Sequence, residues 1–243
     1  MKVTETGKRA VEPGASLAAA DAIPRPLKLR SLAAPGIGRR CFVWAQIAIV
    51  FLLLELALWA PTIAIRNRWA GIEAIMILAL VVMDRPSLPH LGLRLPKTLG
   101  ASVVLGISFA TAVFMLGVVR WAGGEIPANS TWPSLQSVWG YLFWALVQEF
   151  ILQSFFFNRC EELYGSSAAV WMAATLFASA HLPSPVLTTA TLIGALFFCE
   201  MFRRWRSIYP LAIVHALLGM TIALITPDSL LHHMRVGIGY LQY

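Results

Sequence analysis

Apolar runs separated by short polar connections make up most of the chain after residue 41. Because about 20 apolar residues cross the hydrocarbon core of a bilayer, the pattern predicts an all-α, polytopic transmembrane helical bundle. Seven spans are predicted, within a range of six to eight, at 42–64, 69–84, 99–119, 138–158, 167–182, 187–202 and 208–225. The second and sixth runs are short, so we expect one of them to be re-entrant or strongly tilted. The stretch 229–243 would add an eighth element at the membrane interface.

The composition agrees with a lipid environment. Hydrophobic residues make up 58% of the chain and charged residues only 13%, too few charges to cover a water-facing surface. The net charge of +7 could indicate binding to nucleic acid, but the basic residues lie at the ends of the apolar runs. We therefore expect membrane lipid, and no nucleic acid, as a partner. Cys41, Cys160 and Cys199 have no spacing typical of a metal site.

The distribution of Lys and Arg predicts the orientation. Residues 1–40 form a basic, Pro- and Gly-containing tail without a signal peptide. If this tail is cytoplasmic, the inner segments hold 15 Lys and Arg and the outer segments hold 4, as the positive-inside rule requires. We divide the rest into front helices (41–120), an outer loop (121–137) and a helical core (138–243).

Ionisable residues inside membrane helices are costly and mark functional sites by default. The core holds three: Glu149 in the fourth span, His181 at the end of the fifth and His215 in the seventh. At 1.5 Å per residue, their depths agree within about one helical turn. Glu149 and Gln153 are four residues apart and share a helix face, as do Phe177 and His181.

One carboxylate and two imidazoles allow several kinds of chemistry. They can activate water for attack on a peptide carbonyl, hold Zn²⁺ as a Glu/His/His site or relay protons in a transporter. They can also form a hydrogen-bonded network that only fixes helix packing. The chain has no HExxH spacing, and no inverted repeat typical of transporters.

Three short motifs resemble those of the CPBP intramembrane endopeptidases. They are Gln148-Glu149-Phe150-Ile151-Leu152-Gln153, Phe177-Ala178-Ser179-Ala180-His181 and His215-Ala216-Leu217-Leu218-Gly219. The family pattern is EExxxR, FxxxH and HxxxN or HxxxD, each on a different helix. The family includes CAAX prenyl proteases and bacteriocin-processing or self-immunity proteins. This resemblance covers about 140–225.

The resemblance implies a mechanism, and the departures from the pattern modify it. Gln148, Gln153 and Gly219 stand where the family has Glu, Arg and Asn or Asp. Glu149 is then the only carboxylate of the first motif and would serve as the base, with His181 activating water and His215 binding the oxyanion. Gln148, Gln153 and Phe177 would support them. Replacing Glu and Arg together keeps the site's charge balanced.

The resemblance also implies a substrate class. We expect a metal-free intramembrane endopeptidase, without a cofactor, that cuts a membrane-anchored protein or peptide. The altered first motif resembles a divergent exosortase-like or myxosortase-like branch that processes C-terminal sorting signals, which would place the chain in a bacterial inner membrane. The alternative is a non-catalytic membrane binding or immunity protein with the same fold.

Overall fold

The computed structural model describes residues 36–124 and 135–242. Most of the predicted tail (1–40) and most of the predicted outer loop (121–137) therefore lie outside the described residues. The described residues form helices joined by turns and short connections, without strands. Its elements are α1 (Ile37–Leu58), α2 (Ile63–Asp84), α3 (Thr98–Trp121), α4 (Leu135–Glu149), a π-helical segment (Phe150–Phe157), α5 (Asn158–Tyr164), α6 (Ser166–Ser179), α7 (Pro185–Trp205), α8 (Tyr209–Ile225), α9 (Asp228–Leu231), a 3-10 turn (His232–Met234) and α10 (Ile238–Leu241).

The prediction of a helical membrane bundle is confirmed. Elements α4, the π segment and α5 join without a break into one rod, so seven long rods lie in the described part of the chain. Four helices there are long and apolar enough to cross a membrane: Ile37–Leu58, Thr98–Trp121, Ser137–Tyr164 and Pro185–Trp205. The protein is therefore an integral membrane protein.

The helices at the second and sixth predicted spans are longer than the apolar runs, and their tilt stays a prediction. The second helix, α2, has 22 residues and the sixth, α7, has 21. Thr62 caps α2 by accepting a hydrogen bond from the backbone N–H of Ile65, so the helix begins before Arg66 and Arg68. The shorter rods are α6 with 14 residues and α8 with 17.

Helix packing brings the C-terminal rods together. Elements α6 and α7 pack against each other, while α8 packs between α3 and α4. Elements α1 and α2 form a hairpin that reaches the α5 end of the fourth rod. Phe155, Phe156 and Phe157 are almost completely buried at the centre. Their rings make edge contacts, such as that of Phe157 with Phe202 at 5.5 Å between centroids.

A layer of buried charges closes the end of the bundle at which α5 lies. Arg159 is 2.6 Å from Asp84 of α2 and donates to the side-chain oxygen of Gln46 in α1. Arg206 pairs with Glu161. Glu161 is buried, although it is charged, because an Arg from a distant part of the chain pairs with it. We call these residues the charged layer.

The connection between α2 and α3 enters the same end of the bundle. Its backbone carbonyls accept hydrogen bonds from the core: Leu91 from the Ser154 hydroxyl at 2.6 Å and His90 from the Asn158 amide at 3.0 Å. Gly92 lies against the Phe202 ring with a φ of +74°, and any side chain there would overlap that ring. The segment 85–97 therefore acts as a plug beneath the π segment.

The C-terminal segment closes over the opposite end. The Gly237 N–H donates to the carbonyl of Leu182 at 2.8 Å, and a Cβ at Gly237 would overlap the backbone of Leu58. This segment packs as short helices rather than as an eighth span. It rests beside the turn that carries His181.

Candidate active site

Glu149 lies at the end of α4, where the helix widens into the π segment. Its side chain has no exposed surface. Oε1 accepts from Nδ1 of His215 at 2.9 Å, and Oε2 accepts from the Gln153 amide at 3.1 Å. The shared helix face predicted for Glu149 and Gln153 therefore brings these two side chains into contact.

His215 lies on α8 and joins Glu149 to the rest of the site. Its side chain is 11% exposed, so the imidazole, unlike the carboxylate, reaches accessible space. Phe198 of α7 stacks on the ring with 5.5 Å between centroids. The ring is thus held by a carboxylate at one nitrogen and by an aromatic face.

His181 lies in the turn after α6, which ends at Ser179. Its Nδ1 is 2.8 Å from the carbonyl oxygen of Phe177. A carbonyl oxygen only accepts, so Nδ1 carries the proton and the Nε2 of the neutral ring is free to accept. His215 makes the corresponding contact through its own Nδ1, which faces Oε1 of Glu149.

Phe177 connects the two imidazoles. Its ring centroid lies 4.8 Å from that of His181 and 5.9 Å from that of His215. Both imidazoles therefore contact one phenyl ring, and Glu149 joins them through His215. Gln148 is half-buried on the neighbouring face of α4, and no described contact joins it to Glu149, His181 or His215.

Two contacts in the site had no signal in the sequence. Phe198 lies outside every motif yet stacks on His215. The hydroxyl of Tyr141 lies where a Cβ of Gly219 would be, with its Cζ 3.0 Å from that point. Both depend on how the helices are rotated about their axes, which residue spacing does not give.

Metal-ligating residues do not cluster in the described part of the chain. No group of three or more His, Cys, Asp or Glu side chains there is arranged to hold a metal ion. Metal-free chemistry remains a prediction.

Burial changes along the fourth rod at Glu149. Residues 152–160, toward the charged layer, are all buried. Among residues 141–148 on the other side, only Ala145 is buried. Protein therefore covers the site more completely on the side of the charged layer and the plug.

Comparisons with known proteins agree with the motif resemblance. A search of curated proteins and a search of solved structures each found no match. Residues 130–221 match the family model described as type II CAAX prenyl endopeptidase, Rce1-like. This match spans less than half of the chain, and it contains Glu149, His181 and His215. Over residues 130–221, this chain is therefore similar to the type II CAAX prenyl endopeptidases.

Proposed function

We propose that the protein is an intramembrane endopeptidase that hydrolyses a peptide bond of a membrane-associated protein. The observation that carries the proposal is the contact of a fully buried carboxylate, Glu149, with a partly accessible imidazole, His215, beside a second imidazole, His181. A carboxylate that holds an imidazole by Nδ1 fixes its tautomer and stabilises the imidazolium that forms when Nε2 takes a proton. The family match supports peptide hydrolysis as the reaction.

The proposed reaction uses one water molecule. Nε2 of His181 accepts a hydrogen bond from the water, and Nε2 of His215 takes its proton as the oxygen attacks the carbonyl carbon. Glu149 acts through His215, because its own oxygens are occupied and buried. The C–N bond then breaks, and the imidazolium of His215 returns its proton to the leaving amine. This changes the role of base that the resemblance implies for Glu149 alone.

We further propose that the substrate reaches the site from the side away from the charged layer. The fourth rod is buried over residues 152–160, on the charged-layer side of Glu149, and is less covered over residues 141–148 on the other side. With the basic tail in the cytoplasm, this open side is the outer face of the membrane. That favours a membrane-anchored substrate with a C-terminal tail at the outer face of a bacterial inner membrane.

A comparison of protein termini tests the proposed function. The purified protein is reconstituted in liposomes with solubilised membrane proteins from the producing cell, and new α-amino groups are labelled and identified by mass spectrometry. We expect new termini in or beside apolar segments with the wild type and with His90→Ala, an exposed imidazole outside the site. Glu149→Ala and His181→Ala should give none, with both variants still folded. Identical termini from all four proteins would refute catalysis here and favour a binding or immunity role.

A further inference from the structure

The proposed reaction needs a hydrogen-bond donor that His181, His215 and Gln153 do not supply. Stabilising the oxyanion of a tetrahedral intermediate takes preorganised donors about 2.7–3.1 Å from that oxygen. The Nδ1 protons of His181 and His215 are committed to Phe177 and Glu149. The Gln153 amide is committed to Glu149 as well. In their neutral forms, both imidazoles offer only the lone pair of Nε2.

Tyr141 brings a hydroxyl to the same face of α8 as His215. Gly219 follows His215 by four residues, so the two positions are neighbours about 5–6 Å apart on that face. The Tyr141 oxygen lies where the Cβ of any other residue at 219 would be. The hydroxyl therefore stands one helical turn from His215, in the place that a side chain at 219 would occupy.

The Tyr141 hydroxyl also has free hydrogen-bonding capacity. It makes no hydrogen bond to another residue in the described ranges, 36–124 and 135–242, although most of its side chain is covered. Tyr141 lies in the less covered half of the fourth rod, on the side from which we propose that substrate enters.

We infer that Tyr141 is a further catalytic residue, whose hydroxyl donates a hydrogen bond to the carbonyl oxygen of the scissile bond. This inference rests on the proposed function. Position 219, where the third motif of the family has Asn or Asp, is glycine here. The polar group in that place comes from α4 instead of α8. The glycine at 219 is therefore required for this position of the Tyr141 hydroxyl, because any larger residue at 219 would displace it.

Cleavage kinetics test the role of the hydroxyl. The probe is a quenched fluorescent peptide that spans a junction found by terminus labelling. Tyr141→Phe keeps the ring and removes the donor, so we expect kcat to fall about 10²- to 10³-fold at an unchanged unfolding midpoint. Tyr209→Phe, at the far end of α8, is the matched control and should keep the wild-type kcat. A wild-type kcat in Tyr141→Phe would overturn the inference.

Moving the polar group back to α8 provides a rescue. Gly219→Asn alone should lower the unfolding midpoint, because the new side chain overlaps Tyr141. In the double variant Tyr141→Ala/Gly219→Asn, the midpoint should recover and kcat should exceed that of Tyr141→Ala at least tenfold. An unchanged unfolding midpoint in Gly219→Asn would contradict the close contact between position 219 and Tyr141. A double variant no more active than Tyr141→Ala would overturn the role of the hydroxyl as a donor.

The outcomes separate this inference from the proposed function. If Glu149→Ala is inactive while Tyr141→Phe is fully active, the proposed function stands and the Tyr141 role fails. If the wild type produces no new termini, the proposed function fails and the donor role falls with it.

Discussion

The contacts in the charged layer predict how much stability the variant Arg159→Ala loses. The Arg159 side chain is 7% exposed and makes a 2.6 Å ion pair with Asp84. Its Nε also donates to the buried side chain of Gln46. Removing one partner of a buried ion pair costs about 3–5 kcal/mol, because the other charge is left uncompensated. Asp84 is 21% exposed and keeps Arg39 at 3.4 Å, so we expect the lower end, about 3 kcal/mol.

A surface pair in the same protein is the control. Arg204 is 45% exposed and pairs with Glu200 at 2.6 Å, and Glu200 keeps a second partner in Arg203. Exposed pairs contribute about 0–1 kcal/mol, so Arg204→Ala should have little effect.

Unfolding by denaturing detergent measures both variants and a double-mutant cycle. Asp84→Asn combined with Arg159→Ala should cost clearly less than the sum of the two single losses, because each single change already breaks the pair. The reasoning would be refuted if Arg159→Ala cost less than about 1 kcal/mol, or if the two losses were additive.

Three further changes give distinct results. Gln153→Leu removes the donor to Oε2 of Glu149, so peptide cleavage should slow about tenfold, the equivalent of one hydrogen bond. Ser154→Ala removes the hydrogen bond to the Leu91 carbonyl, so hydrogen exchange in segment 85–97 should rise while the overall unfolding midpoint changes little. Gly237→Ala overlaps the Leu58 backbone and should release the C-terminal segment, detected by limited proteolysis. Unchanged cleavage, exchange or proteolysis would contradict these assignments one by one.

The number and order of helices could be predicted because each apolar run must be long enough to cross lipid. The helix ends could not, since they depend on partners elsewhere in the chain. Arg39 extends α1 beyond its apolar run because it pairs with Glu162 at 2.6 Å. Glu161 belongs to the interior only because Arg206 meets it there.

Residue types and their spacing indicated the side chains of the site, but not how these side chains are connected. Residue spacing placed Glu149 and Gln153 on one face, and the motif resemblance selected His181 and His215. The contact between Glu149 and His215 joins residues 66 positions apart, which depends on how α4 and α8 are rotated. Residue spacing could not indicate Tyr141 for the same reason, because its proposed role depends on its contact with Gly219.

Single-turnover cleavage by Glu149→Gln tests the central claim most directly. The amide keeps the size of the side chain but cannot stabilise an imidazolium at His215. We predict that the rate constant for cleavage of the fluorescent peptide falls by about 10²- to 10⁴-fold, with the protein still folded. A wild-type rate in Glu149→Gln would contradict the claim that Glu149 and His215 act together to activate water.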